Sequence, residues 1–174
     1  MRDAALRGRL RELFGARVRF DEPLARHTSL RVGGAADAWV EAETEEELRR
    51  LLSLCAAHGA PFLAVGGGTN LLVRDGGFRG VAARLAGGLA ETRFDGREAV
   101  SGGGAWLQAL VEGALRRGLG GLERLAGIPG TVGGAVRMNA GCYGSYVADH
   151  LVGATAVTRQ GAVVELDPGA LQFA

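Results

Sequence analysis

Residues 127–144 read Gly-Ile-Pro-Gly-Thr-Val-Gly-Gly-Ala-Val-Arg-Met-Asn-Ala-Gly-Cys-Tyr-Gly. This run holds six glycines, one proline and a single charged residue, Arg137. Glycine has no Cβ and reaches backbone conformations that other residues avoid, but each glycine costs conformational entropy on folding. A glycine run of this length therefore predicts that the main chain lies directly against something large, such as a flat or phosphorylated ligand.

A second glycine cluster follows a short apolar strand predicted over residues 62–65. Successive N–H groups in such a loop form a concave site for a phosphate anion, and threonine and asparagine side chains add hydrogen-bond donors. The spacing differs from the G-x-G-x-x-G pattern of classical dinucleotide-binding folds. The alternative interpretation is a tight surface turn, although such a turn needs only two glycines and this cluster has three. The candidate ligand-binding residues here are Gly66, Gly67, Gly68, Thr69, Asn70 and Leu71.

A third cluster, residues 102–104, ends a strand and precedes a helix predicted over 105–117. The N–H groups at such a helix start suit an anion or a ring edge, but close packing against another backbone explains the glycines equally well. Gly103 is the candidate there. Within the glycine-rich run at 127–144, small residues permit close approach of a planar ring, and the Asn139 side chain offers both a hydrogen-bond donor and an acceptor. Its candidates are Ile128, Pro129, Gly130, Gly133, Gly134, Asn139 and Gly141.

Apolar periodicity predicts an α+β architecture, because strands and helices mix without strict alternation. The clearest helix starts with a capping box at Thr44 and Glu47 and buries a stripe that includes Leu51 and Cys55. A further helix is predicted over 3–14. Strands are predicted over 17–20, 38–42, 62–65 and 80–85, and hairpins over 91–94 with 98–101 and 152–158 with 162–166. We predict a lead-in at 1–21 and two lobes, at 22–86 and 87–174.

Composition excludes several functions. The chain has 174 residues, a net charge of +1 and 20 basic residues, all arginine and scattered, which argues against nucleic-acid binding. The absence of lysine excludes a Walker-type phosphate loop and Schiff-base catalysis. The three histidines and two cysteines lack metal-ligand spacing, so we expect no metal site. His58 is expected to cap a helix C-terminus, and Trp39 and Trp106 are expected in the core. Neither a signal peptide nor a membrane span is evident, so we expect a cytoplasmic protein.

The motifs together resemble the UDP-N-acetylenolpyruvoylglucosamine reductase family, over roughly residues 24–173. The resemblance rests on His-Thr-Ser-Leu-Arg-Val-Gly-Gly at 27–34, Val-Gly-Gly-Gly-Thr-Asn-Leu-Leu-Val-Arg-Asp at 65–75, Gly-Gly-Leu-Glu at 120–123 and the run at 127–144. It implies a two-lobed FAD-binding module of the vanillyl-alcohol-oxidase type. It also implies that FAD is non-covalent, because Thr69-Asn70 stands near the place where covalent flavin oxidases commonly carry a histidine.

The resemblance also implies a reaction. NADPH passes a hydride to the flavin, which passes it to the enolpyruvyl double bond of a UDP-sugar, while a serine, an arginine and a glutamate protonate and stabilise the intermediate. In the family that arginine lies in a Tyr-Arg-x-Ser segment after the match to Leu171-Gln172-Phe173, and the other two lie in a C-terminal domain. We therefore expect this chain to supply the FAD-binding part, with the substrate domain and every catalytic residue missing. The alternatives are a sugar or lactone flavin oxidase and a non-catalytic flavin-binding module. No oligomeric state is predicted.

Overall fold

The structure is a computed structural model that describes residues 3–173, so Met1, Arg2 and Ala174 of the predicted domain bounds lie outside the described residues. The helices are α1 (Ala4–Phe14), α2 (Glu45–Ala57), α3 (Leu107–Leu115) and α4 (Val132–Arg137). The strands are β1 (Val18–Pro23), β2 (Ala35–Ala42), β3 (Phe62–Ala64), β4 (Phe78–Leu85), β5 (Thr92–Asp95), β6 (Glu98–Ser101), β7 (Gly141–Cys142), β8 (Ser145–Tyr146), β9 (Ala154–Val157) and β10 (Val163–Leu166). The mixed order agrees with the predicted α+β class.

Residues 3–86, here called the sheet region, are built on one four-stranded sheet in the order β1-β2-β4-β3. β1 runs antiparallel to β2, whereas β2, β4 and β3 are parallel to one another. Successive strand residues face opposite sides, so Val40 packs under α1 and α2 while Trp39 belongs to a second cluster on the other side. Both side chains are fully buried. The sheet is therefore covered on both faces.

The predicted start of α2 is confirmed. Thr44 Oγ1 accepts a hydrogen bond from the Glu47 N–H at 3.2 Å, and Glu47 Oε2 accepts one from the Glu43 N–H at 2.8 Å. The predicted stripe is buried at Leu51 and Cys55. Burial raises the pKa of the Cys55 thiol to about 11, so this cysteine is an unreactive core residue.

His58 is the C-terminal cap residue of α2, as predicted, and it also connects two helices. Its Nδ1 lies 2.7 Å from Oδ2 of Asp3, whose other oxygen accepts a hydrogen bond from the Leu6 N–H at the start of α1. The two contacts tie the beginning of α1 to the end of α2.

Residues 87–173, here called the hairpin region, contain three antiparallel hairpins, β5–β6, β7–β8 and β9–β10. Within the described chain, each strand of this region pairs only with its own hairpin partner. Helices α3 and α4 share a small cluster that includes Leu107, Val111 and Leu125. Both predicted hairpins are confirmed, while β7–β8 was not predicted. Helix α3 is shorter than expected, because the backbone at residues 105–107 bonds to residues 130–132 before the helix begins.

None of the helices within residues 3–173 is both long enough and apolar enough to cross a membrane.

Candidate functional site

The second glycine cluster, at residues 66–68, and the long glycine run meet in space. Thr69 Oγ1 donates a hydrogen bond to the Pro129 carbonyl at 3.2 Å. A Cβ placed on Gly67 would lie 3.1 Å from the Cα of Gly130, which is tighter than most Cβ contacts in proteins. Loops that are about 60 residues apart in sequence therefore share one edge of the sheet region, as the prediction of a common ligand site requires.

The third cluster packs against the same run, but for a structural reason. The Gly133 N–H donates to the Gly103 carbonyl at 2.9 Å, and a Cβ on Gly133 would lie 2.9 Å from that same oxygen. The alternative of close backbone packing therefore explains these two glycines. A direct contact of either one with a ligand stays a prediction.

The space beside residues 66–68 is also occupied by the protein itself. A Cβ on Gly67 would lie 2.9 Å from the Trp106 ring, and one on Gly68, at φ +63°, would collide with the His27 carbonyl. The glycines let three loops of this chain approach one another, and the site forms where those loops converge. The predicted contact of this main chain with a large ligand stays a prediction.

The strongest sign of a ligand is a row of free N–H groups. Within residues 3–173, none of the backbone N–H groups of residues 66–70 donates a hydrogen bond to another residue, although the Gly68 carbonyl accepts one from the Ser29 N–H at 3.1 Å. Consecutive unpaired N–H groups in a loop form a nest that binds anions. This row fits the phosphates of a dinucleotide.

A cleft of about 470 Å³ opens beside this row. Its lining includes Gly66, Gly67 and Trp106. It also includes three arginines, Arg26, Arg31 and Arg84. Arg26 pairs with Glu22 at 3.7 Å and Arg84 with Glu41 at 2.9 Å. In the part of the chain that the structure describes, Arg31 has no ion pair, and its backbone has a φ of +54°. The cleft is therefore basic and has one arginine whose charge is not matched by a carboxylate.

One wall of the cleft is formed by a stacked pair of rings. The His27 imidazole lies 3.6 Å from the Trp39 ring at an interplanar angle of 14°. Its Nε2 lies 3.0 Å from Oε1 of the buried Glu22. Burial lowers the pKa of His27, although the contact with Glu22 partly offsets that shift. The Nε1 of Trp39 is buried and has no acceptor within residues 3–173, which leaves an unsatisfied donor behind the cleft.

Two predicted site residues make contacts elsewhere. The side-chain oxygen of Asn139 accepts a hydrogen bond from the Ala148 N–H at 3.1 Å, and Gly141 packs against the Tyr146 ring. Asn139 and Tyr143 both adopt positive φ angles, of 41° and 52°. These contacts shape the turn that carries β7 and β8. The predicted contact of Asn139 with a ring stays untested.

The remaining predicted site residues lie in different parts of the fold. Leu71 packs on the cluster around Trp39, and Ile128 packs on the cluster of α3 and α4. Asn70 is exposed beside the free N–H row. The N–H of Gly134 donates to Thr131 Oγ1, the side-chain cap of α4.

The placement of Trp106 in the core was wrong. Its side chain is 55% exposed, because Trp106 is the residue that precedes α3 and its backbone bridges to Thr131. Sequence reasoning also passed over His27, Arg31 and Arg84. The adjacent His-Thr-Ser-Leu-Arg motif was the available signal for the first two, whereas nothing in the strand pattern singles out Arg84.

The sequence matches the family model described as "FAD binding domain" over residues 36–167. The chain therefore belongs to this family of FAD-binding domains.

Among curated relatives, the UDP-N-acetylenolpyruvoylglucosamine reductase of Rubrobacter xylanophilus is 48% identical over 161 residues, which cover 92% of this chain and 54% of the relative. The reductase of the same name from Geobacter metallireducens is 51% identical over 146 residues, or 84% of this chain and 49% of the relative. The chain spans about half the length of these relatives.

Solved structures also match this chain, among them a reductase of the same kind. The crystal structure of UDP-N-acetylenolpyruvylglucosamine reductase from Thermus caldophilus matches with a TM-score of 0.74 and 41% identity, over 90% of this chain and 54% of that one. An alkyldihydroxyacetonephosphate synthase matches with a TM-score of 0.74 at 20% identity, over 97% of this chain and 39% of that one, which shows the fold alone. The predicted resemblance and the α+β FAD-binding fold are both confirmed.

Proposed function

We propose that this chain forms the FAD-holding part of a cytoplasmic reductase that converts UDP-N-acetylglucosamine enolpyruvate to UDP-N-acetylmuramate with NADPH, for peptidoglycan precursor synthesis. The observation that carries the proposal is the row of free N–H groups at residues 66–70, beside a basic cleft where two glycine loops meet. Identity of 41–51% to reductases of this name supports the substrate class.

Several residues of this chain would hold the cofactor. The N–H groups of residues 66–70 would bind its phosphates, and Arg31 and Arg84 would balance their charge. Bound FAD would supply hydride transfer. Thr69 and Asn70 offer no imidazole for a covalent link, so binding would be non-covalent. In this proposal the residues that act on the UDP-sugar belong to the half of the relatives that this chain does not match.

The test uses the purified chain. Titration with FAD should give a saturable change in the flavin absorption spectrum, while NADPH and the enolpyruvyl UDP-sugar should give no turnover. Adding the complementary half of the Rubrobacter relative should restore NADPH oxidation that depends on the sugar. Failure to bind FAD would overturn the proposal. Turnover by the chain alone would contradict the claim that it supplies only the cofactor site, and peroxide release with a simple sugar would favour an oxidase.

A pair of glycine substitutions tests the place of binding. Gly67→Ala places a Cβ 2.9 Å from the Trp106 ring and 3.1 Å from the Cα of Gly130, so it should crowd the contact between the two loops and weaken FAD binding. Gly76→Ala is the matched control, because a Cβ there meets no atom within 4 Å. Circular dichroism should show that both variants are folded. Equal FAD affinities in the two variants would show that the contact between these two loops does not determine FAD binding.

A further inference from the structure

Trp106 is held in place by its backbone, yet its side chain is left open to the cleft. The Leu107 N–H donates to the Gly130 carbonyl at 3.0 Å, and the Val132 N–H donates to the Ala105 carbonyl at 2.8 Å. The residue is thus fixed between two hydrogen bonds to the long glycine run. Its ring nevertheless remains 55% exposed.

This tryptophan is unfavourable for the isolated fold in two ways. It occupies the N-cap of α3 and makes no side-chain capping bond, where serine, threonine, aspartate or asparagine would stabilise the helix. It also exposes a large apolar ring to water, and the ring lines the cleft. Neither feature is explained by packing within this chain.

The surroundings of the ring indicate what it binds. One edge of the ring lies over Gly67, whose N–H belongs to the free row, and Arg31 and Arg84 line the same cleft. An aromatic surface beside anion-binding N–H groups and arginines is complementary to a planar heterocycle that carries phosphate. Stacking on tryptophan stabilises such rings whatever their substituents.

The geometry points to Trp106 as the platform on which one heteroaromatic ring of the bound dinucleotide stacks, making it an affinity-determining residue of this chain. The inference rests on the proposed function, since it requires FAD in this cleft. FAD carries two such rings, an adenine and an isoalloxazine, and both present the same flat π surface. The experiment therefore has to distinguish them.

The test measures FAD affinity of the purified chain with Trp106 replaced. Trp106→Leu keeps apolar bulk but removes the π face, and should weaken FAD binding about tenfold. Trp106→Phe keeps a flat ring and should stay within about threefold of the original. Leu115→Ala, at the other end of α3 and 49% exposed, is the matched control and should leave the affinity unchanged.

Two fragments of the cofactor identify the ring. ADP carries only the adenine and FMN only the isoalloxazine, so the fragment whose affinity falls in Trp106→Leu contains the stacked ring. Unchanged FAD affinity in Trp106→Leu would overturn the inference, and so would equal losses in the leucine and phenylalanine variants. If the unmodified chain does not bind FAD, the proposed function fails first. Unfolding curves of each variant separate lost affinity from lost folding.

Discussion

The sheet region and the hairpin region bury their apolar residues to very different extents. The four-stranded sheet is covered on both faces, and side chains such as Trp39 and Leu51 are fully buried. In the hairpin region the strands form separate pairs, and Val100, Tyr143 and Val152 are between 76% and 81% exposed. The sheet region therefore folds around a large two-sided core, whereas the hairpin region combines one small cluster between α3 and α4 with turns and close backbone contacts.

Truncation of a buried leucine in the sheet region and of a half-exposed leucine in the hairpin region should have unequal effects, and this is the largest difference we expect. Leu51→Ala leaves a cavity under the sheet and should lower the free energy of unfolding by about 2–5 kcal/mol. Leu115→Ala removes a side chain that is half exposed in the hairpin region, so it should cost less than about 1 kcal/mol. Urea unfolding followed by circular dichroism measures both values. Similar losses of unfolding free energy in the two variants would contradict the difference in burial between the two leucines.

The hairpin region should also be sensitive where its backbones touch. Gly133→Ala places a Cβ 2.9 Å from the Gly103 carbonyl and should destabilise the protein by about 1–3 kcal/mol. The neighbouring Gly134→Ala meets nothing closer than 3.4 Å, and alanine favours a helix, so it should stabilise α4 by about 0.5–1 kcal/mol. The midpoints of thermal unfolding should therefore move in opposite directions. A lower unfolding midpoint in both variants would show that the contact between Gly133 and Gly103 does not account for the loss of stability in Gly133→Ala.

An ion pair between Arg17 and Glu47 adds to the stability of the sheet region. Arg17 Nη1 donates to Glu47 Oε2 at 2.8 Å, and this contact lowers the pKa of Glu47 to about 2. The folded pKa lies below the ordinary value of 4.5, so the stabilisation is present above pH 4.5 and is lost as the pH falls towards 2. Glu47→Gln should cost roughly 1–3 kcal/mol at pH 7 and remove this part of the acid sensitivity.

The control for that pair is Glu46→Gln. Glu46 bonds Arg50 at 2.7 Å but is 55% exposed, so the unfolding midpoint should not change. The measurement is urea unfolding at several pH values between 2 and 7. Equal pH profiles in Glu47→Gln and the unmodified chain would show that the Arg17 contact does not stabilise the fold.

The same contrast explains what sequence could predict. The Thr44 cap and the apolar stripe of α2 are local signals, and both are present as expected, although the Glu47 carboxylate bonds to the Glu43 N–H and not to that of Thr44. The glycine clusters correctly indicated close backbone approach, and one partner at Gly67 is the loop around Gly130. Such a partner is distant in sequence, so no local pattern identifies it.

Two other features could not be predicted for related reasons. Trp106 was misplaced because helical periodicity does not show that its backbone instead pairs with Thr131. Strands β7 and β8 have two residues each, which is too short for any alternation of apolar side chains to appear. In both places a contact between separate segments determines the structure.

The smallest expected effect lies at His27, where the sheet region forms the cleft. Burial lowers the pKa of this imidazole, so the folded chain favours its neutral form. As the pH falls below about 6.5, the unfolded chain takes up a proton that the folded chain does not, and stability decreases until the folded pKa is reached. His27→Gln keeps a hydrogen-bonding group towards Glu22 and should flatten the unfolding free energy between pH 8 and pH 5. An unaltered slope in that variant would mean that His27 does not titrate differently in the two states.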